Sequence, residues 1–189
     1  MCKIDLNLSY NLSIEMPYYR LELCPSAEGL EYYKSYEITN RSNQNAGVDL
    51  YSVENYKVCK EFDERHNDAP KAVHLLNLGT KARLVEVSSF DDGCTMECDV
   101  HYWLLPRSSI YKSGIMMANS VGVIDSSYRG SLMAPITNLN EHTYPNVLKG
   151  TRLFQIVAPH MGWIKEIKIV ESLPETSRGS GGFGSTGTN

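Results

Sequence analysis

Apolar and polar residues along this chain exchange places over short runs, and no stretch keeps a helical apolar period for three clean turns. That pattern predicts strands, and the supply of Val, Ile, Tyr and Thr agrees with it. Strand-like runs fall at residues 18–23, 33–38, 46–52, 82–88, 95–105, 122–124, 132–137, 153–158 and 164–170. Turn formers such as Asp91-Asp92-Gly93 and Tyr144-Pro145-Asn146 separate them at close intervals. Many short strands with frequent turns read as an all-β sandwich, barrel or jelly roll. One short helix is expected around residues 108–117, weakened by Gly114. Residues 53–80 are charged and irregular and read as an elaborated loop or insertion within a β domain spanning residues 1–177. Residues 178–189 are rich in Gly, Ser and Thr, pack no core of their own, and read as a C-terminal arm.

Composition narrows the function classes. The formal charge of -4 argues against a nucleic-acid polymer as partner, because sequence-independent binding needs a dense basic patch. A single nucleotide needs only a few placed cations and stays open. No apolar run reaches the roughly 18 residues of a membrane span, and the N-terminus lacks the basic-then-apolar order of a secretory leader. The expectation is a soluble intracellular protein, cytoplasmic or nuclear. Cys2, Cys24, Cys59, Cys94 and Cys98 form an odd set without framework spacing, which suits a reducing compartment. Cys94, Cys98 and His101 lack a fourth partner for zinc and sit in a strand-like stretch.

The chemistry concentrates in five clusters. They are Ala46-Gly47-Val48-Asp49-Leu50-Tyr51-Ser52, Pro106-Arg107-Ser108-Ser109, Gly122-Val123-Ile124-Asp125-Ser126-Ser127-Tyr128-Arg129-Gly130, Gly150-Thr151-Arg152-Leu153-Phe154-Gln155, and residues 178–187. Four carry arginine, whose planar fork matches phosphate oxygens, while Gly and Ser bring backbone and hydroxyl donors close to an anion. Asp125 follows the apolar pair Val123-Ile124. A carboxylate at the end of a buried strand serves either as general base toward water or as a turn opener. Asp49 could be a carboxylate near a metal, though local pattern favours a structural turn residue. The run Gly179-x-Gly181-Gly182-x-Gly184 matches a dinucleotide fingerprint in form only, since no βαβ unit surrounds it. Arg178 and Phe183 among those glycines suit an arm folding over a nucleotide, the cation on phosphate and the ring on the base. His66, His74, His101, His142 and His160 form no metal or catalytic spacing. Trp103 and Trp163 sit in apolar strand candidates and read as core or interface residues.

In this order, the five clusters resemble the five motifs of the homotrimeric dUTPase family, from about residue 46 to residue 187 with a poor match at 53–80. The resemblance implies a jelly-roll subunit, a homotrimer with active sites shared between chains, dUTP as substrate and Mg²⁺ as cofactor held by the triphosphate and water. It implies that Asp125 activates the attacking water and that Tyr128 packs beneath the deoxyribose. The hairpin from Gly122 through Tyr128 toward Asn138 would read uracil through its backbone. Arg107, Ser108 and Gln155 would hold phosphates, with Ser109 standing where the family usually has Gly. Arg178, Ser180, Ser185 and Thr186 would close on the outer phosphates, Phe183 would stack on uracil, and Asp49 would act through metal-bound water or by fixing neighbouring side chains. Thr151 replaces a usual acidic residue, and Ser126-Ser127 stand where acidic residues are common.

Two rival readings share this fold. A dCTP deaminase carries a catalytic glutamate where this chain has Pro135, and proline shuttles no proton. A nucleotide-binding regulatory or interaction protein with weak catalysis would draw its only support from the unusual 53–80 segment.

Overall fold

The computed structural model describes residues 16–58, 73–90, 93–139 and 144–181. Thirteen strands, one short α-helix and two 3-10 turns account for the regular structure of these residues. The fold is mostly β, as the alternating pattern predicts.

Strands β1 (Tyr18–Pro25), β5 (Thr80–Ser89), β6 (Thr95–Asp99) and β13 (Ile164–Ile169) form one sheet in the order β13-β1-β5-β6. A second four-stranded sheet runs β2-β12-β7-β9, from β2 (Val48–Tyr51), β12 (Arg152–Val157), β7 (Tyr102–Pro106) and β9 (Gly122–Ile124). Strands β4 (His74–Asn77), β10 (Met133–Asn138) and β8 (Ile115–Met117) make a third sheet, and β3 (Tyr56–Lys57) pairs with β11 (Asn146–Val147). All pairings are antiparallel except β1 with β13.

One core joins the sheets. Leu21 and Leu23 of β1, Leu84 of β5, Leu50 of β2, Leu104 of β7, Phe154 and Ile156 of β12, and Ile136 of β10 are all buried in it. A fully buried side chain of this kind contributes about 1.5–3 kcal/mol relative to exposure. Period-two alternation explains the arrangement in β1, where Leu21 and Leu23 point into the core and Arg20 and Glu22 lie on the opposite face.

Several local expectations change. Residues 33–38 are not a strand: α1 (Leu30–Tyr33) takes their start. The reason is tertiary, because Tyr33 is fully buried with its hydroxyl donating to the Leu78 carbonyl at 2.6 Å and accepting from the Tyr51 amide at 3.0 Å. The 95–105 run divides into β6 and β7 at Val100 and His101. The helix expected at 108–117 is a 3-10 turn, Ile110–Ser113, ended by Gly114 in the left-handed region (φ 75°), with β8 directly after it. Within 53–80, Val53, Val58, Leu76 and Leu78 are buried and β4 pairs with β10, so both flanks of that interval are built into the fold. Trp103 is 41% exposed rather than core, while the Trp163 indole donates to the Arg41 carbonyl at 2.8 Å.

Candidate active site

Asp125 sits where β9 ends. The register of β7 with β9 pairs Tyr102 with Ile124, which brings His101 alongside Asp125. His101 Nδ1 lies 3.6 Å from Asp125 Oδ1 and accepts the Ser126 N–H at 3.1 Å. The other carboxylate oxygen, Oδ2, receives the Arg178 guanidinium. Chain direction reverses here through a turn in which the Tyr128 N–H donates to the Asp125 carbonyl at 3.0 Å. Among the histidines, sequence spacing missed His101, since only the strand register reveals its neighbour.

Tyr128 is half-buried, and its hydroxyl donates to the Ser131 carbonyl at 2.9 Å. Burial raises its pKa, and the Arg178 charge, 5.9 Å from the ring centroid, pulls against that rise. Gly130 makes this ring position available: a Cβ there would stand 2.4 Å from the Tyr128 hydroxyl oxygen and 2.6 Å from Cζ. Asp125, Tyr128, Arg178 and Gly122 line a cavity of about 190 Å³ whose wall includes Leu104, Met117, Leu132 and Pro135. This is a largely apolar slot whose lining also carries one acid, one phenol and one guanidinium.

A second cavity, about 650 Å³, holds Asp49, Arg107, Ser108 and Gln155 together with Gly47 and Arg41. Asp49 receives Arg107 Nε at 2.8 Å and Arg152 Nη1 at 3.2 Å. Its geometry is that of a carboxylate fixing two neighbouring arginines. The register of β12 on β2 shifts between Arg152 and Phe154, and the irregularity sets Gln155 opposite Asp49. Gly47 permits that contact, because a Cβ there would lie 2.0 Å from Gln155 Oε1. Gln155 Nε2 donates to the Pro106 carbonyl at 3.3 Å.

The two cavities share no lining residue. His101 and Arg107 bracket β7, so Asp125 and Arg107 stand at opposite ends of one strand, roughly 20 Å apart at the rise of an extended chain. Of the other expected residues, Ser109 precedes the 3-10 turn and Asn138 ends β10, and neither lines either cavity. Ser180 lines a third cavity beside Arg129. Phe183, Ser185 and Thr186 lie outside the described residues. Among the described residues no group of three or more His, Cys, Asp or Glu is placed to hold a metal ion. Asp49 and Asp125 lie in separate cavities and each faces a guanidinium group.

Comparison with known proteins places the chain in a family. The dUTPase family model matches residues 80–187. The chain belongs to the dUTPase family. It is 45% identical over 87 residues to the deoxyuridine 5'-triphosphate nucleotidohydrolase of Polynucleobacter asymbioticus, covering 45% of this chain and 56% of that protein. The protein of the same name from Polynucleobacter necessarius is 43% identical over 86 residues, with the same coverage. The chain thus spans just over half the length of the curated relatives it matches. Among solved structures it resembles a mutant dUTPase of Staphylococcus bacteriophage 80alpha with dUpNHpp, at TM-score 0.44 and 20% identity, over 89% of this chain and 98% of that one. Among the described residues no helix is long and apolar enough to cross a membrane.

Proposed function

We propose that this chain hydrolyses dUTP to dUMP and pyrophosphate in a homotrimer whose active sites combine residues of different chains. The observation that carries the reading is the separation of an acid-and-phenol slot (Asp125, Tyr128) from an arginine, serine and glutamine cluster (Arg107, Ser108, Gln155) at the far end of β7. A nucleotide needs both ends at once, and the roughly 20 Å of strand between them in one chain favours a site completed by another chain.

In this mechanism the uracil and deoxyribose enter the slot, with Tyr128 under the sugar where a ribose 2′-hydroxyl would collide. Backbone groups from Gly122 toward Asn138 read the uracil edge, a strong discriminator because the wrong base leaves them unpaired. The triphosphate draws Arg178 from Asp125 onto phosphate oxygens. Asp125 then takes a proton from water as the water oxygen bonds to the α-phosphorus. The bond from that phosphorus to the bridging oxygen breaks, and pyrophosphate leaves. Arg107, Ser108 and Gln155 of another chain would stabilise the departing charge, with Asp49 holding Arg107 in place. Ser109 would lie beside them, and Ser180, Phe183, Ser185 and Thr186 would complete the cover. Mg²⁺ bound to phosphate oxygens and water would add charge neutralisation. A triphosphate substrate places the activity inside a cell.

Exposed apolar groups support a chain-to-chain contact: Trp103 and Val123 are register partners, both exposed, and they line a cavity with Pro159 and His160. The deciding experiment measures pyrophosphate release with Mg²⁺ from dUTP, dCTP, dTTP and UTP, wild type beside Asp125→Asn. The expected result is release from dUTP alone, lost in the variant. A folded wild-type protein that binds dUTP and cleaves nothing would overturn the hydrolase reading in favour of a regulatory one.

A further inference from the structure

Arg129 is a charged residue next to the end of the third cluster, yet it is only 7% exposed and lines neither of the two site cavities. Its guanidinium is shared among four acceptors. Nη1 donates to the Ser126 carbonyl at 2.6 Å and the Tyr128 carbonyl at 3.0 Å, both in the turn that follows Asp125. Nε donates to the Pro174 carbonyl at 3.0 Å, in the C-terminal segment, and Nη2 to Asp99 Oδ2 at 2.6 Å. The Arg129 backbone N–H adds a bond to the Gly179 carbonyl at 2.8 Å, next to Arg178.

Thr176 ties the same two segments, donating to the Ser127 carbonyl at 2.5 Å and accepting the Gly179 N–H at 3.2 Å. Behind Arg129 the charges continue into the sheet. Asp99 meets Arg83 at 2.6 Å, Arg83 meets Glu22 at 3.0 Å, and Glu22 meets Arg20 at 3.2 Å. A buried guanidinium with every contact directed is a rigid bracket, because its planar fork fixes several carbonyls at once.

We propose that Arg129 is a positioning residue that couples the C-terminal segment to the Asp125–Tyr128 turn, so that Arg178 and the turn take up their working geometry as one unit. The kinetic part rests on the hydrolase reading above, and the structural part does not. Without Arg129 the turn carbonyls lose their common donor, and the segment carrying Arg178 loses its side-chain anchor at Pro174. Lysine at this position keeps a charge for Asp99 but cannot serve both the turn and Pro174.

The test is backbone amide exchange of the full chain without nucleotide, wild type against Arg129→Lys. Exchange of the Ser126, Tyr128 and Arg129 amides and of the Gly179 and Gly181 amides should quicken together by about tenfold or more, with amides of β1 and β5 unchanged. Quickening of one segment alone, or of neither, overturns the coupling. Thr176→Val gives the same comparison with Arg129 intact, should the lysine variant fold poorly. Loosening of the C-terminal segment that leaves the turn amides at wild-type rates also overturns it. Kinetically, Arg129→Lys and Arg178→Ala should not multiply. The double variant should turn over dUTP within about twofold of the slower single variant, and a loss equal to the product of the two singles refutes the proposal. A wild-type chain with no activity on dUTP would refute the hydrolase reading while the exchange data still decide the coupling.

Discussion

Asp125 divides its carboxylate between two neighbours of different kinds, the Arg178 guanidinium on Oδ2 and the His101 ring nitrogen near Oδ1. In the proposed mechanism the triphosphate draws the arginine away, which frees Oδ2 to accept a proton. Replacing Asp125 with Asn preserves shape and one acceptor oxygen for Arg178 but removes the proton acceptor. Turnover should fall by ~10²–10⁴-fold with dUTP binding kept, measured by single-turnover kinetics beside equilibrium titration; an unchanged rate would remove Asp125 as the base. Gly130 supplies a sharper steric test. Its backbone is not in the left-handed region, so the obstacle to Gly130→Ala is space alone: the new methyl meets the Tyr128 ring at 2.4–2.8 Å. Tyr128 must swing off the slot and give up its bond to the Ser131 carbonyl. The expected outcome is a folded protein whose kcat/KM for dUTP drops about 10²-fold, the scale of a 1 Å misplacement, with its preference over UTP eroded. Selectivity equal to wild type would show that Tyr128 does not guard the sugar.

At the scale of elements, the sheet that carries β1 has an ionic outer face. Arg20, Glu22 and Arg83 alternate with core residues along β1 and β5, and they pair across strands with each other and with Glu97 and Asp99 of the exposed strand β6. Burial pushes the Asp99 carboxyl up, but hydrogen bonds and charges from Arg83 and Arg129 outweigh it and hold the pKa below the usual 3.8. For Glu97 the hydrogen bonds from Arg20 dominate and also lower it. A depressed folded-state pKa means the unfolded chain binds more protons on the acid side, so this stabilisation is full above about pH 5 and fades as pH falls through the folded values. The melting temperature of Asp99→Asn should therefore lie below wild type at neutral pH, and the gap should narrow as pH falls through and below the ordinary carboxylate range. A gap independent of pH would show that Asp99 acts by packing rather than charge. Legibility at this scale followed period two. Alternation located β1, β5, β10, β12 and β13, and Val123-Ile124 before Asp125 marked β9 with its acid at the end. Tyr33 misled, because aromatic β-preference pointed to a strand while a buried hydroxyl with two backbone partners required a helical turn. His101 and Arg129 were silent as site residues for a related reason. Their partners, Asp125, Asp99 and Pro174, come from other segments, and only pairing brings them near.

For the whole molecule, the length of β7 sets the question. With Asp125 beside one end and Arg107 at the other, a cis site would ask a single nucleotide to bridge roughly 20 Å of strand between its base-reading slot and its phosphate donors. A ring of identical chains removes the difficulty if the Asp125 end of one subunit meets the Arg107 end of the next, a heterologous contact that closes. The proposal is testable without a further structure. Asp125→Asn and a combined Arg107→Ala, Ser108→Ala variant should each be nearly inactive alone, because each spoils every site in its own trimer. Unfolded and refolded together in equal amounts, they should regain roughly one quarter of wild-type activity, since about that share of sites draws an intact Asp125 from one chain and intact Arg107 and Ser108 from another. Mixing without dissociation should restore nothing. If the refolded mixture stays as inactive as its parents while light scattering shows mixed trimers, both halves of the site come from one chain, and the path of the nucleotide along β7 must be drawn afresh.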